Sequence, residues 1–234
     1  MNNLKTVAEN TEFTLTEKKS KFIANLIYVE SQAEAEELIK QFKKKYHDAR
    51  HNCTAFRVFE NEQIIEKSSD DGEPSGTAGA PMLNILQKNN LCNVLIIVTR
   101  YFGGILLGTG GLVRAYSDSL SGAIESAEIL DIALGLEAEV IVDYNNFEKF
   151  QYYCRTNEIS IINTQYLENI VCKISIEEAK KNKFVKDYEE KNINLDSLEI
   201  FGKKTIIKSK IKYWFYKKLE KFSSFLLQII LNIL

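Results

Sequence analysis

Residues 94–98 read VLIIV, inside the longer run LCNVLIIVT at 91–99. A strand with one wet face alternates apolar and polar side chains, so an unbroken apolar run suits a strand covered on both faces. The chain must therefore build layers on either side of this segment. Unusual residues crowd around it. Eight of the eleven glycines lie between positions 72 and 111, and both prolines lie in the loop before the run. That loop is SSDDGEPSGTAGAP, 68–81, and the run leads into VTRYFGGILLGTGGLVRAY, 98–116. Glycine so concentrated marks two loops with special backbone demands and not general flexibility.

The flanking segments supply the layers. Thr11–Leu15 and Lys21–Tyr28 read as strands, the second placing Phe22, Ala24, Leu26 and Tyr28 on one face. Ser31 with Glu34 three residues on is a capping box, and Ala35, Leu38, Ile39 and Phe42 recur at helical spacing behind it. Strands are predicted at His51–Phe59 and Gln63–Ser68, and helices from Thr77 to Gln87 and from Leu112 to Ala127. From 132 onward ALGLEAEVIV alternates as a half-buried strand. A helix opened by Asn145 and Glu148, strands at 159–167 and 170–176, a helix at 177–190 and a strand after Leu198 complete a β-α-β-β-α-β order, the ferredoxin-like pattern. The fold class is α+β. The expected domains are 1–131, a ferredoxin-like 132–212, and a tail at 213–234, with Ile129–Asp131 as the joint.

Composition bounds the function classes. The chain has 234 residues, 45% hydrophobic and 26% charged, which fits a folded soluble protein. Residues 1–131 hold 14 Lys/Arg against 18 Asp/Glu and 132–200 hold 8 against 13, whereas 201–234 hold eight lysines against Glu220. Cysteines at 53, 92, 154 and 172 form no CxxC pair, which argues against a disulfide framework or structural zinc. The first residues carry no basic and apolar signal-peptide pattern. A cytoplasmic location is expected, with no cofactor and no metal.

The second glycine loop invites a phosphate reading, since backbone amides at a strand-to-helix turn favour an anion and Arg100 and Arg114 flank it. However, neither GxxxxGK[ST] nor GxGxxG is present among Gly103, Gly104, Gly108, Gly110 and Gly111. A nucleotide loop is thereby set aside, and a generic anion site stays open. Arg114 in the first turn of a helix opposes the macrodipole. It therefore calls for a partner, either an external anion or one of Asp70, Asp71 and Glu73 in an internal clamp between the loops. Catalysis would need Ser75 or Ser69 with His51 and an acid, or Cys53 beside His51. Ser75 lies in no GxSxG elbow, and HDARH at 47–51 lacks the glutamate of HExxH. A structural His51 donating to a backbone carbonyl is the simpler reading.

HNCTAF, DDGEPSGTAGAP and VTRYFGGILLGTGGLVRAY, in this order, closely resemble the YigZ/IMPACT family over about residues 18–125. The C-terminal half is similar to the smaller domain of bacterial YigZ proteins by pattern alone. The resemblance implies an N-terminal domain like elongation factor G domain IV, ribosomal-protein-like and α+β, followed by a ferredoxin-like domain resembling that factor's domain V. It also implies a regulatory, translation-linked role. In the eukaryotic branch that role is restraint of a starvation-sensing kinase through its ribosome-bound activator. No established catalytic residue carries over. The position of Leu106 is one where the family commonly has lysine, in a GGxKLG context, so this chain lacks a charge that an anion site would use.

The tail KYWFYKKLEKFSSFLLQIILNIL mixes lysines, aromatics and an uncharged stretch at 222–234. Thirteen helical residues span only about 20 Å against a hydrocarbon core of about 30 Å. Three readings remain for it: packing on the domain or on a second copy of the chain, contact with a membrane surface, and contact with nucleic acid through stacking aromatics.

The leading expectation for the whole protein is a non-enzymatic translation-linked binding protein. Its two loops would present Arg100, Tyr101, Gly103, Gly104, Gly110, Gly111, Arg114, Asp71, Glu73, Ser75, Thr77 and His51 to a ribosome, an RNA or a translation-associated protein. An enzyme acting on a small phosphorylated or acyl substrate at the same loops, and a protein-protein interaction module, are the competing classes.

Overall fold

A computed structural model describes residues 4–207 of the chain; the expectation for the 213–234 tail falls outside them. Two compact units divide the chain, Met1–Ile132 and Ala133–Leu234.

In the first unit the apolar run becomes β6 (Val94–Tyr101), the middle strand of an antiparallel sheet. Its neighbours are β3 (Ser20–Tyr28) on one side and β4 (His51–Glu60) on the other, with β2 (Thr11–Glu17) and β5 (Gln63–Ser69) at the edges. Val94, Ile96 and Val98 pack with Met82 and Leu86 of α2 (Gly79–Lys88) and with Leu112, Tyr116 and Leu120 of α3 (Thr109–Ser126). Leu95 and Ile97 face the other way, toward Ala35, Leu38, Ile39 and Phe42 of α1 (Gln32–Lys45). The run is thus buried on both faces, as its lack of alternation requires. Ser31 caps α1 by accepting from the Glu34 N–H at 3.1 Å, and Glu34 reaches back to the Glu30 N–H at 2.7 Å. Two tight hairpins set the sheet's register. Each has consecutive positive-φ residues, Lys18 and Lys19 in one and Asn61 and Glu62 in the other, the backbone that matches strand twist.

One added strand and one corrected helix start depart from the sequence expectations. Residues Leu4–Val7 form a strand, β1, that pairs antiparallel with Ile129–Ile132. The segment expected to be the joint therefore opens β7 (Ile129–Val142). Helix α3 starts at Thr109 and not at Leu112, because Gly108 at φ +73° serves as its N-cap and Gly110 and Gly111 continue into the helix.

In the second unit, β7 continues into α4 (Tyr144–Thr156), β8 (Ser160–Tyr166), β9 (Ile170–Glu177), α5 (Glu178–Glu189) and β10 (Ser197–Ile207). The strand order β10-β7-β9-β8 is the split βαβ arrangement of ferredoxin-like folds. Leu136, Ala138, Val140 and Val142 meet Phe147, Phe150, Cys154 and Phe184 from the helices. Asp143, and not Asn145, caps α4, accepting from the Asn145 and Asn146 N–H groups at 2.7 and 3.1 Å.

Candidate functional site

The first glycine-rich loop directs its acids inward. Asp70 accepts from the backbone N–H groups of Gly76, Ala78 and Gly79 at 2.8, 3.0 and 2.8 Å, which closes the loop onto the start of α2. Partial burial pushes its carboxyl up, but these three donors outweigh that and hold it below the usual carboxylate range. Asp71, at φ +45°, accepts from the Asn52 N–H at 2.7 Å and from Lys43 Nζ at 2.5 Å. Thr77 is buried and donates to the Pro74 carbonyl at 2.6 Å, whereas Ser75 is exposed.

Glu73 lies at the centre. Its buried carboxylate accepts from Arg100 Nη1 at 2.5 Å and from the Tyr116 hydroxyl at 2.9 Å, and His51 Nε2 stands 3.9 Å away. His51 is oriented by its Nδ1, which donates to the Asp71 carbonyl at 2.8 Å. Cys53 Sγ lies 2.9 Å from the Asp70 carbonyl and 3.2 Å from the Tyr116 hydroxyl. Burial, reinforced by Glu73, Asp71 and Asp70, pushes the Cys53 thiol up to about 12. Burial likewise pushes the Tyr116 phenol far above its ordinary value, with Cys53 and Glu73 adding to it. Both groups therefore stay protonated near neutrality, so Cys53 has no thiolate to act as nucleophile.

The internal clamp between the loops thus exists, but Arg100 makes it, not Arg114. Arg100 is only 5% exposed, which corrects the expectation that it is presented on the surface. Cross-strand register explains this: Arg100 pairs with Phe22 on β3 and with His51 on β4. Its guanidinium lies over the Phe22 ring at 5.4 Å and the Phe102 ring at 5.6 Å. Arg114 falls in the second turn of α3, is exposed, and donates through Nε to the Gly110 carbonyl at 3.4 Å. It has no carboxylate partner among the described residues, and the macrodipole penalty fades beyond the first turn.

The second loop is built differently. A Cβ at Gly103 would come within 2.0 Å of the Lys19 carbonyl carbon, so only glycine lets the loop lie on the β2–β3 turn, where its N–H donates to Ser20 Oγ at 3.1 Å. Gly104 has φ +85°. Gly111 packs against Leu107, and Gly110 faces open space. Tyr101 is half-buried, with its hydroxyl on Asp48 at 2.9 Å. Phe102, Ile105 and Leu106 are exposed, Leu106 at 82%.

Sequence reasoning missed Tyr116, Phe22, Arg50 and Phe102. Each matters through strand register or helix phase across the sheet, and no local motif carries that information. Among the described residues no cluster of His, Cys, Asp and Glu is arranged to hold a metal, and no helix is long and apolar enough to cross a membrane. In the second unit, a cavity of about 300 Å³ is lined by Tyr153, Thr156, Lys180 and Lys183, whose amines are bonded to Glu158 and Asn157. It contains none of the expected site residues.

Fold and site together define a two-unit α+β protein in which two glycine-rich loops are clamped by a buried carboxylate. The Impact N-terminal domain matches residues 18–124, and a domain of unknown function, DUF1949, matches residues 140–187. Among curated proteins the chain is 40% identical to IMPACT family member YvyE of Bacillus subtilis, over 76% of this chain and 82% of that protein. It is 30% identical to IMPACT family member YigZ of Escherichia coli, over 78% and 91% respectively. A crystal structure described as a hypothetical protein superposes with a TM-score of 0.59 at 28% identity, covering 86% of this chain and 98% of that one. The chain belongs to the YigZ/IMPACT family.

Proposed function

We propose that this protein is a non-enzymatic, translation-linked binding protein of the cytoplasm. Its N-terminal unit would contact a ribosome, a structured RNA or a translation-associated protein through the exposed part of the second glycine-rich loop. The observation that carries this reading is the contrast between the two loops. Asp70, Asp71, Glu73, His51 and Cys53 are engaged in internal bonds, while Phe102, Ile105, Leu106 and Arg114 stand exposed beside them. Exposed, unusual residues on a loop held by a rigid scaffold are how binding surfaces are commonly made. The translation link comes from family membership and from the implied likeness to elongation factor G domain IV.

Co-sedimentation with purified ribosomes across a salt series tests the reading. The protein should pellet at low salt and be released as salt rises, and Arg114→Ala should shallow the dependence by roughly one phosphate contact, about 0.9 in slope. Absence of salt-sensitive affinity for ribosomes and for structured RNA alike would overturn the ribosome and RNA versions and leave a protein partner.

A further inference from the structure

The buried clamp does not end inside the protein. Tyr116 meets the Phe22 ring edge-on at 5.2 Å, Phe22 lies under the Arg100 guanidinium, Arg100 lies over Phe102, and Arg50 lies over Phe102 at 5.9 Å. This chain of aromatic rings and guanidinium groups begins at a fully buried tyrosine and ends on exposed groups, Phe102 at 41% and Arg50. Its inner members are fixed, because Glu73 holds Arg100 and strand pairing holds Phe22. The outer end thus brings an exposed ring and an exposed guanidinium together, a cationic platform to which one more flat π-face can be added.

The surroundings carry the matching charge. The loop at Gly103 rests directly on the Lys19 backbone, in the β2–β3 hairpin that carries the exposed Lys18, Lys19 and Lys21. On the other side, Arg50 N–H donates to the Arg100 carbonyl at 3.2 Å, which places the segment after α1 against the same strand end. Of the nearby acids, Asp71 is paired with Lys43 and Glu73 with Arg100, Asp70 is held by backbone N–H groups, and Asp48 is exposed and accepts from the Tyr101 hydroxyl. Glu12 and Glu17 are the exposed acids of the hairpin. Lys18, Lys19, Lys21 and Arg50 have no carboxylate partner among the described residues.

Resting on the RNA-binding reading above, we infer that this strand end is a binding site for unpaired nucleotides, with a base stacking on the Arg50–Phe102 platform and Lys18, Lys19 and Lys21 contacting the adjacent phosphates. Bases in a duplex are already stacked and cannot offer a free face, whereas splayed bases stack readily on aromatic rings and guanidinium planes. Cationic side chains without a stacking platform would bind duplex and single strand through phosphate alone. The ring ladder therefore argues for the unpaired form over the duplex and over an apolar protein segment, which would gain nothing from exposed guanidinium and ammonium groups.

The test is fluorescence anisotropy of the full-length protein with a labelled unpaired RNA of about ten nucleotides and with the same strand annealed to its complement. The unpaired strand should bind more tightly. Phe102→Leu and Arg50→Ala should each weaken it by about fivefold or more without altering the salt slope. Replacing Lys18, Lys19 and Lys21 together by alanine should lower the slope by about 2, at roughly 0.7 per phosphate. Arg50 is exposed, so its variant reports even where Phe102→Leu disturbs the loop, and circular dichroism checks both for folding. Equal affinity for duplex and single strand, or wild-type affinity in Arg50→Ala, overturns the stacking site. If ribosome binding persists with its salt dependence in either case, only this inference fails. If the unaltered protein binds neither ribosomes nor RNA and instead loses a protein partner on Leu106 substitution, the RNA reading falls with it.

Discussion

Glu73 links three neighbours through one carboxylate, and its removal would leave Arg100 buried without a counter-charge. Arg100 already has one buried donor, Nε, with no hydrogen-bond partner. Breaking a buried pair from one side costs about 3–5 kcal/mol, so Glu73→Ala should lose that much stability in urea unfolding. A loss below about 1 kcal/mol would mean that water enters the clamp and the pair is not truly buried. The glycines of the second loop make a sharper pair of predictions. Gly103→Ala forces Lys19 backbone aside and should cost about 1–3 kcal/mol as an overpacked contact. Gly110→Ala, inside α3 with nothing within 4 Å of the added methyl, should gain about 0.5–1 kcal/mol. Equal effects at the two sites would show that close approach is not what demands glycine at 103.

Among the elements, α2 has the most distinctive start. Its N-cap residue, Ala78, offers no side-chain acceptor, so Asp70 reaches across eight residues to supply one. Asp70→Ala should therefore destabilise the protein by about 1 kcal/mol, the usual cost of a lost cap. The sign of the pH effect follows from a carboxyl held low in the fold. Its contribution is present in full above the ordinary aspartate value, about 3.9, and is lost as pH falls from there through the lower folded value. Urea midpoints measured between neutrality and acid should fall less steeply below about pH 4 in Asp70→Asn than in the unaltered chain.

Such long-range caps show why some elements were legible in sequence and others were not. The Ser31 box and the apolar run of β6 signal themselves within a few residues. Strand β1 is four residues long, too short for a period, and is defined by its partner at Ile129–Ile132. Arg100, Glu73 and Tyr116 were visible as a charged residue, an acid and an aromatic, but only register and helix phase bring them together. Arg114 reads as a first-turn cation in need of a partner only for a helix that begins at Leu112; with α3 beginning at Thr109 it lies in the second turn and that need falls away.

At the scale of the whole molecule, all four cysteines are free and buried. Burial raises the thiols of Cys53 and Cys154 to about 12. A thiol reagent such as Ellman's should therefore leave the native protein almost untouched and titrate four groups once it is unfolded; rapid native labelling would show that one of the cores opens readily. The pairing of β1 with the start of β7 has a further consequence, for biosynthesis. Lys5 also bonds to Asn90 and Cys92 on its other edge, but Leu4 finds its antiparallel partner at Ile132, so that edge of β1 stays unpaired until the whole first unit has been made. At ordinary elongation rates that wait is roughly 6–25 s. The strand carries Leu4 and Val7, both destined for burial. The unpaired edge of β1 is accordingly open to chaperones during synthesis until Ile129–Ile132 arrives to cover it.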